Sequence, residues 1–192
     1  MRRAVFLDRD GTVCEDVGYL DRSRNLQVFP WAADAIRKLN QAGLHAVLVT
    51  NQSGVARGYF SEELIHETHD QLQTALASGG ARLDAIYYCP HHPEGTIPFY
   101  SRDCECRKPG LGMLEQAAQE YNLDLRTCFV VGDKQSDLET AFRAQAQAVL
   151  VLSGRGTETY QGRAEWLHQP DYVARDLSDA ADWILKTVTS DQ

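Results

Sequence analysis

The chain has 192 residues, 43% hydrophobic and 24% charged, and this size favours one globular domain with a substantial core. Its 19 basic and 27 acidic side chains give a formal net charge of −8, which argues against a surface for nucleic acid or for an anionic membrane. No apolar run is long enough for a secretory signal or a membrane span, and five cysteines are an odd number, so we expect a cytoplasmic protein without a disulfide framework. Nothing in the sequence demands more than a monomer.

Strand-like and helix-like patterns alternate along the chain. In chain order, strands are predicted at residues 2–8, 44–51, 83–90, 127–133, 147–154 and 170–176, and helices at 32–43, 61–80, 112–122, 136–146 and 178–188. Gly43 is placed to end the first helix, and Ser61 and Ser178 are placed to cap the starts of the second and the last. The alternation predicts an α/β fold, a doubly wound, Rossmann-like, mainly parallel sheet with helices on both faces and no large cap domain. We expect this single domain to span residues 1–188, with a frayed tail at 189–192.

Polar side chains follow three of the predicted strands, at the edge where open α/β sheets bind their ligands. Asp8 and Asp10 end the first strand, Thr50 lies at the end of the second, and Asp133 follows the fourth. Each of these alone is often only a polar turn, but their occurrence at the ends of different strands favours a site. The carboxylates offer hard oxygen ligands that suit Mg²⁺, and they repel one another unless a cation neutralises them. One aspartate of a pair can attack phosphorus while the other handles protons, which is a known route through an aspartyl-phosphate.

The chain carries four further motifs, "FLDRDGT", "VTNQSG", "CRKP" and "VVGDKQSD". Together these motifs resemble the haloacid dehalogenase (HAD) superfamily of aspartate-nucleophile phosphatases, and the pattern extends over the whole chain. The resemblance implies that Asp8 is the nucleophile and that Asp10 is the general acid and base. It also implies that Thr50 and Lys108 hold the transferring phosphoryl group.

The same resemblance implies a catalytic Mg²⁺. Its ligands would be the carboxylates of Asp8 and Asp133 and the backbone carbonyl of Asp10, while Asp137 would support the site from behind. The implied mechanism has two steps: attack on phosphorus by the nucleophile, then hydrolysis of the aspartyl-phosphate by water.

Three cysteines and a histidine between residues 89 and 106 predict a second metal site. Cys89-x-His91 and Cys104-x-Cys106 supply the ligand set of a tetrahedral zinc site, although His92 is an alternative to His91. Four protein ligands leave no position for water or substrate, so we expect this zinc to be structural. Its role would be to fix the loop that brings the Arg-Lys pair at 107–108 to the phosphate. The remaining cysteines are expected to be ordinary.

The Cys-x-His and Cys-x-Cys pairs narrow the resemblance to two groups of small, capless enzymes, the heptose 1,7-bisphosphate 7-phosphatases and the histidinol-phosphate phosphatases, and the histidinol group usually has a shorter spacer between the pairs. "YYCPHHPEG", "CECRKP", "NQSGVARG" and "VGY" look more like the heptose group, which acts in bacterial surface-sugar synthesis; histidinol phosphate remains the alternative. A small phosphorylated sugar is then the expected substrate. Carried over residue by residue, the pattern places substrate contacts on Asp16, Val17, Gly18, Tyr19, Asn51, Gln52, Ser53, Arg107 and Lys134.

Other classes of protein share parts of this pattern. A non-enzymatic phospho-acceptor domain also gathers Asp, Thr and Lys on such a sheet, but it has no need of a zinc loop. A zinc-stabilised binding module has no need of both D-R-D-G-T and G-D-K. A polynucleotide 3′-phosphatase shares the chemistry, but the acidic charge and the lack of a basic stripe with aromatic residues argue against it.

Overall fold

The structure is a computed structural model that describes residues 2–18 and 26–190, so the predicted contact residue Tyr19 lies outside the described residues. Its centre is one six-stranded sheet in the order β3-β2-β1-β4-β5-β6, and every neighbouring pair is parallel. The strands are β1 Ala4–Leu7, β2 His45–Asn51, β3 Ala85–Cys89, β4 Phe129–Gly132, β5 Gln147–Val151 and β6 Tyr172–Ala174. The predicted doubly wound sheet is confirmed, and it is fully parallel rather than mainly parallel.

The helices are α1 Ala32–Gln41, α2 Glu62–Ser78, α3 Gly112–Tyr121, α4 Gln135–Ala144, α5 Gly156–Gln161 and α6 Leu177–Ser190. The short α5 was not predicted. Helix α6 starts one residue before Ser178, and the cap at its start is Asp176, whose carboxylate accepts a hydrogen bond from Asp179 N at 3.0 Å. The helix also continues through Thr189 and Ser190, which were expected to belong to a frayed tail.

Alternating residues of β1 build two separate cores, one on each face of the sheet. All four residues of β1 are buried, as in strands covered on both faces. Val5 and Leu7 join the core formed with α1, α2 and α6, whereas Ala4 and Phe6 join the core formed with α3 and α4. The near-continuous apolar run in the sequence is therefore required by the helices on both sides.

The strand order reverses between β1 and β4. The chain moves outward from β1 through β2 to β3, and then in the other direction from β4 through β5 to β6. The connections on the two sides of this reversal diverge, which opens a crevice at the carboxyl ends of β1 and β4. The first motif and the G-D-K motif therefore meet at the crevice. Among the described residues, the helices are all too short or too polar to cross a membrane.

Candidate active site

Three carboxylates converge at the strand-order reversal. Asp8 follows β1, Asp133 follows β4, and Asp137 lies in the first turn of α4. They are 4%, 0% and 1% exposed, and one oxygen of each lies within 4.8 Å of the others. Burying three negative charges this closely is costly unless cations compensate them.

Lys108 is the buried cation among these carboxylates. Its ammonium donates to Asp8 Oδ1 at 2.7 Å and to Val49 O at 2.8 Å, and it lies 2.6 Å from Asp137 Oδ1. Burial lowers the pKa of Lys108, but the charges of Asp137 and Asp8 outweigh it and the net shift is upward. Burial likewise raises the pKa of Asp8, but Lys108 and Lys134 outweigh it and the net shift is downward. Asp8 is therefore held as a carboxylate, which is the form that a nucleophile needs.

Three buried oxygens of this cluster accept no hydrogen bond, and they are Asp8 Oδ2, Asp133 Oδ1 and Asp137 Oδ1. Asp137 Oδ1 lies 2.6 Å from the Lys108 ammonium, so the two oxygens that remain to receive a further cation are Asp8 Oδ2 and Asp133 Oδ1. The ammonium of Lys134 lies 3.9 Å from each of these oxygens and 3.5 Å from the carbonyl of Asp10. Burial, reinforced by the charge of Asp8, raises the pKa of Asp133 to about 7, which shows how poorly the protein alone compensates this carboxylate. The three oxygens that face Lys134 are hard ligands of the kind that Mg²⁺ prefers, so these residues fit the metal.

The loop after β5 holds Asp133 in place. Arg155 N donates to Asp133 Oδ2 at 2.8 Å, and Ser153 Oγ donates to Gly11 O at 2.7 Å. Gly154 has φ +54°, and a Cβ there would lie 2.3 Å from Gly11 Cα and 2.4 Å from Asp133 Oδ2. Only glycine allows this approach of the β5 loop to the first motif. Sequence reasoning missed this loop, although it follows a predicted strand at the edge that carries the site.

The side-chain carboxylate of Asp10 accepts three hydrogen bonds. Arg9 donates to Asp10 Oδ1 from Nε at 2.9 Å and to Oδ2 from Nη2 at 3.0 Å, which is the two-pronged geometry of a strong ion pair. Gln52 Nε2 donates to the same Oδ2 at 3.0 Å and lies 2.9 Å from Thr50 Oγ1. The predicted acid and base, two residues after the predicted nucleophile, thus has a fixed carboxylate orientation, and Gln52 links it to the predicted phosphoryl-binding hydroxyl.

A crevice of about 360 Å³ opens above these groups. Its lining includes eight of the predicted residues together with Gly54, Ser136 and Arg155, which were not predicted; the eight are Asp10, Asp16, Gly18, Asn51, Gln52, Ser53, Arg107 and Lys134. Val17 is 42% exposed and does not line the crevice. A larger cavity of about 520 Å³ lies between α4 and residues 165–168, and none of the clustered aspartates lines it.

Asp16 and Asn51 have specific partners within the crevice wall. Asp16 Oδ2 lies 3.6 Å from Lys134 Nζ and 3.4 Å from Arg155 Nε, and its Oδ1 accepts from Gly18 N at 3.0 Å. The side-chain amide of Asn51 makes two 3.0 Å hydrogen bonds to the backbone of Lys108, one to its N–H and one to its carbonyl. Asn51 therefore positions the lysine, and its side chain has less capacity to contact a substrate.

The predicted zinc ligands lie together. The Sγ atoms of Cys89, Cys104 and Cys106 are 3.2–3.4 Å apart, and His91 Nδ1 lies 3.4 Å from Cys106 Sγ and 3.8 Å from Cys89 Sγ. A tetrahedral zinc with Zn–S bonds of about 2.3 Å needs S···S edges of about 3.8 Å. The four ligand atoms are thus arranged as a slightly contracted tetrahedron of the right composition for structural zinc.

The alternative ligand, His92, points elsewhere. Its Nδ1 accepts from Glu94 N at 3.1 Å and its Nε2 lies 3.2 Å from Arg57 Nη2. Cys14 and Cys128 are buried outside the cluster. From the cluster the chain reaches Arg107, whose Nη1 donates to the carbonyl of His91 at 3.3 Å, and then Lys108. The cysteine loop therefore delivers the buried lysine to the carboxylates.

Comparison with known proteins gives a consistent result. Residues 105–180 match the HAD-hydrolase-like family model. The D-glycero-D-manno-heptose-1,7-bisphosphate 7-phosphatase of Thermosynechococcus vestitus is 45% identical over 187 residues, which cover 95% of each chain. The D-glycero-beta-D-manno-heptose-1,7-bisphosphate 7-phosphatase of Yersinia pestis is 43% identical over 96% of this chain and 90% of its own.

A solved structure extends the similarity to three dimensions. The D,D-heptose 1,7-bisphosphate phosphatase of B. bronchiseptica, crystallised with magnesium and phosphate, superposes with a TM-score of 0.86 at 36% identity, covering 97% of this chain and 99% of its own. Identities of this level extend over nearly the whole length of each pair of chains. This protein therefore belongs to the family of HAD-like phosphatases that comprises the D-glycero-D-manno-heptose-1,7-bisphosphate 7-phosphatases.

Proposed function

We propose that this protein is a Mg²⁺-dependent phosphatase that removes the 7-phosphate from D-glycero-D-manno-heptose 1,7-bisphosphate through an aspartyl-phosphate on Asp8. The observation that carries the proposal is the state of Asp8. One of its oxygens accepts from Lys108 at 2.7 Å, and the other is buried without a hydrogen-bond partner beside the equally unpartnered Asp133 Oδ1. A buried, ionised carboxylate with a cation on one side and a metal-ready oxygen on the other is what a phosphoryl acceptor requires.

In the first step, Asp8 attacks the phosphorus while the bond from phosphorus to the sugar oxygen breaks. Asp10, in its protonated form, gives its proton to that departing oxygen. Lys108 donates to Asp8 at 2.7 Å and Thr50 is buried at the end of the neighbouring strand β2, so we assign both to hold the phosphoryl oxygens during transfer, with the ammonium neutralising their charge. Mg²⁺ bound by Asp8, Asp133 and the carbonyl of Asp10 would supply further neutralisation of the charge on the phosphoryl group.

In the second step, water attacks the phosphorus of the aspartyl-phosphate. Asp10, now a carboxylate, takes a proton from this water, and the bond between phosphorus and the Asp8 oxygen breaks. Inorganic phosphate leaves, Asp8 returns to its carboxylate form and Asp10 is protonated again. The same residue thus serves as acid and then as base, which requires it to stay in one place through both steps.

The crevice suits a substrate with a second negative group. Arg107, Lys134 and Arg155 line it, while Asp16 neutralises part of their charge from the wall. Lys134 lies close to the predicted metal ligands, so Arg107 and Arg155 remain to bind a distal phosphate. Their planar guanidinium groups can each donate two hydrogen bonds to phosphate oxygens. The names of the two heptose-bisphosphate phosphatases compared above support the heptose bisphosphate over histidinol phosphate.

The cysteine cluster would hold a structural zinc. Three thiolates and one imidazole complete its coordination, so no position is left for substrate. Its contribution to turnover would then be indirect, through the placement of residues 107 and 108.

The test is phosphate release by the purified protein with Mg²⁺, offered the heptose bisphosphate and histidinol phosphate side by side. We expect a strong preference for the bisphosphate, with loss of the 7-phosphate alone and no turnover in Asp8→Asn. The matched control is Asp182→Asn, the same substitution at a half-exposed surface carboxylate that pairs with Lys38. A preference for histidinol phosphate would refute the substrate assignment, and substantial activity in Asp8→Asn would refute the nucleophile.

A further inference from the structure

The middle residue of the D-R-D motif is a buried cation that contacts the acid and base rather than the phosphate site. Arg9 is 2% exposed, and its guanidinium binds both oxygens of Asp10 at 2.9 and 3.0 Å. Burial lowers the pKa of Arg9, but the charge and hydrogen bonds of Asp10 outweigh it and the net shift is upward. A guanidinium is rarely buried unless its donors are satisfied, so the remaining nitrogen of Arg9 needs a partner.

That partner comes from helix α2, sixty residues away in the chain. His69 is 5% exposed, and its Nε2 lies 3.4 Å from Arg9 Nη1. The ring of Tyr88 packs against the His69 ring edge-on at 5.8 Å, which fixes the imidazole plane. Burial, reinforced by the charge of Arg9, lowers the pKa of His69 to about 3, so the ring is neutral and its Nε2 can accept from the arginine.

We propose that Arg9, held in turn by His69, is a positioning residue that aims the Asp10 carboxyl at the oxygen of the leaving alcohol. The inference rests on the proposed phosphatase activity and adds to it two residues that do not touch the substrate. It assigns Arg9 and His69 to the proton transfer rather than to binding of the phosphate or the metal.

The physical reason lies in how the charge on Asp10 changes during the first step. The protonated carboxyl is neutral, and it becomes a carboxylate as its proton moves to the sugar oxygen. The two-pronged contact with Arg9 is strongest for the carboxylate, so it strengthens as the transition state is approached. It therefore stabilises the transition state of the first step more than the bound substrate, and this lowers the activation barrier of that step. Two nitrogens of the guanidinium, Nε and Nη2, bind Asp10, and His69 holds the third, Nη1. Because all three nitrogens have a partner, the guanidinium cannot rotate away from the carboxylate.

Leaving-group dependence separates this role from a structural one. Departure of a sugar alkoxide requires a proton, whereas p-nitrophenolate leaves from p-nitrophenyl phosphate without one. The quantity to compare is kcat/KM, which reports the steps up to formation of the aspartyl-phosphate and excludes the later hydrolysis that both substrates share. Asp10→Asn gives the largest loss of kcat/KM to expect for the heptose bisphosphate, since general acid catalysis contributes about 10²–10⁴-fold to the rate.

We expect His69→Leu to lower kcat/KM for the heptose bisphosphate by about tenfold and for p-nitrophenyl phosphate by less than about twofold, a part of the full general-acid effect. His69→Gln, which keeps an acceptor for Arg9, should restore most of the loss. His66→Leu is the matched control, because His66 lies on the exposed side of the same helix and contacts Tyr88 instead of Arg9. Arg9→Lys tests the same contact from the other side by keeping the buried charge and losing the two-pronged geometry.

Equal losses with the two substrates in His69→Leu and Arg9→Lys would overturn the inference and indicate a purely structural role. Unchanged kcat/KM with both substrates would overturn it as well. If the wild-type protein released phosphate from neither compound, the proposed function would have failed and the inference with it. Thermal unfolding of each variant, with bound zinc measured on the same sample, checks that the compared proteins are folded.

Discussion

Replacing His69 by glutamine should remove one specific acid sensitivity from the fold. The imidazole is 5% exposed and lies beside the buried guanidinium of Arg9, so the folded protein resists its protonation. Burial and the Arg9 charge lower its pKa to about 3, whereas the unfolded chain titrates near 6.5. Below pH 6.5 His69 is therefore protonated in the unfolded state and neutral in the folded state, so the free energy of unfolding decreases as the pH decreases.

The size of the effect follows from these two pKa values. At pH 7 the unfolded histidine is mostly neutral and costs only about 0.2 kcal/mol. At pH 5 its protonation stabilises the unfolded state by about 2.1 kcal/mol, so about 2 kcal/mol of stability is lost between the two pH values. The result hardly changes if the folded pKa is 4 instead of 3, because His69 stays neutral in the folded protein at pH 5 in either case.

The assay is urea unfolding of wild type and His69→Gln at pH 7, 6 and 5, with zinc saturated throughout. Other groups titrate in this range, Asp133 among them, but they are common to both proteins and cancel in the difference. The free energy of unfolding of the wild type should fall by about 2 kcal/mol more than that of the variant. His66→Gln, at an exposed position of the same helix, should behave as wild type. Parallel pH profiles for wild type and His69→Gln would refute the inference that the histidine is buried and neutral.

Three further predictions concern the two metal sites and the crevice. Cys106→Ala should lose bound zinc and lower kcat by about 10²-fold through misplacement of the neighbouring lysine, while Cys128→Ala should keep its zinc; equal zinc content in the two would contradict the ligand assignment. Gly154→Ala should raise the Mg²⁺ concentration needed for activity, because the new Cβ would lie 2.4 Å from Oδ2 of Asp133, a predicted Mg²⁺ ligand. Gly43→Ala, also at positive φ but with nothing within 4 Å, should cost only about 1 kcal/mol of stability and leave the Mg²⁺ requirement unchanged. Arg155→Ala should lower kcat/KM for the bisphosphate by about tenfold while its backbone N–H still supports the metal site, and an unchanged value would remove Arg155 from substrate binding.

Much of the site was predictable because its residues follow strands. The carboxyl ends of parallel strands share one edge, so Asp8, Thr50 and Asp133 had to converge once the strands were assigned correctly. The cysteine spacing was equally informative, since Cys89 ends β3 and a metal ligand set has a fixed chemistry. In both cases a pattern of neighbouring residues in the sequence is enough to predict where the side chains lie in the fold.

The features that escaped prediction depend on contacts between distant segments. Arg9 and His69 meet only because α2 packs beside the end of β1, and no spacing in the sequence indicates that contact. The approach of Gly154 to Gly11 depends on how closely two loops pack at the strand-order reversal. Ser178 failed as a cap because Asp176, two residues earlier, already provides an acceptor for the first turn of α6.

The two predicted metal sites lie on either side of one residue, Lys108. The cysteine cluster ends at Cys106, and Asn51 fixes the peptide of Lys108 with two 3.0 Å hydrogen bonds, so the lysine is placed from its own loop and from the end of β2. Its ammonium then lies between Asp8 and Asp137. A buried cation held this firmly can keep Asp8, the predicted nucleophile, ionised before substrate arrives, which a flexible surface lysine cannot do. Zinc is therefore expected to affect catalysis through the position of this ammonium, and a loss of zinc should lower turnover far more than it changes the affinity for Mg²⁺.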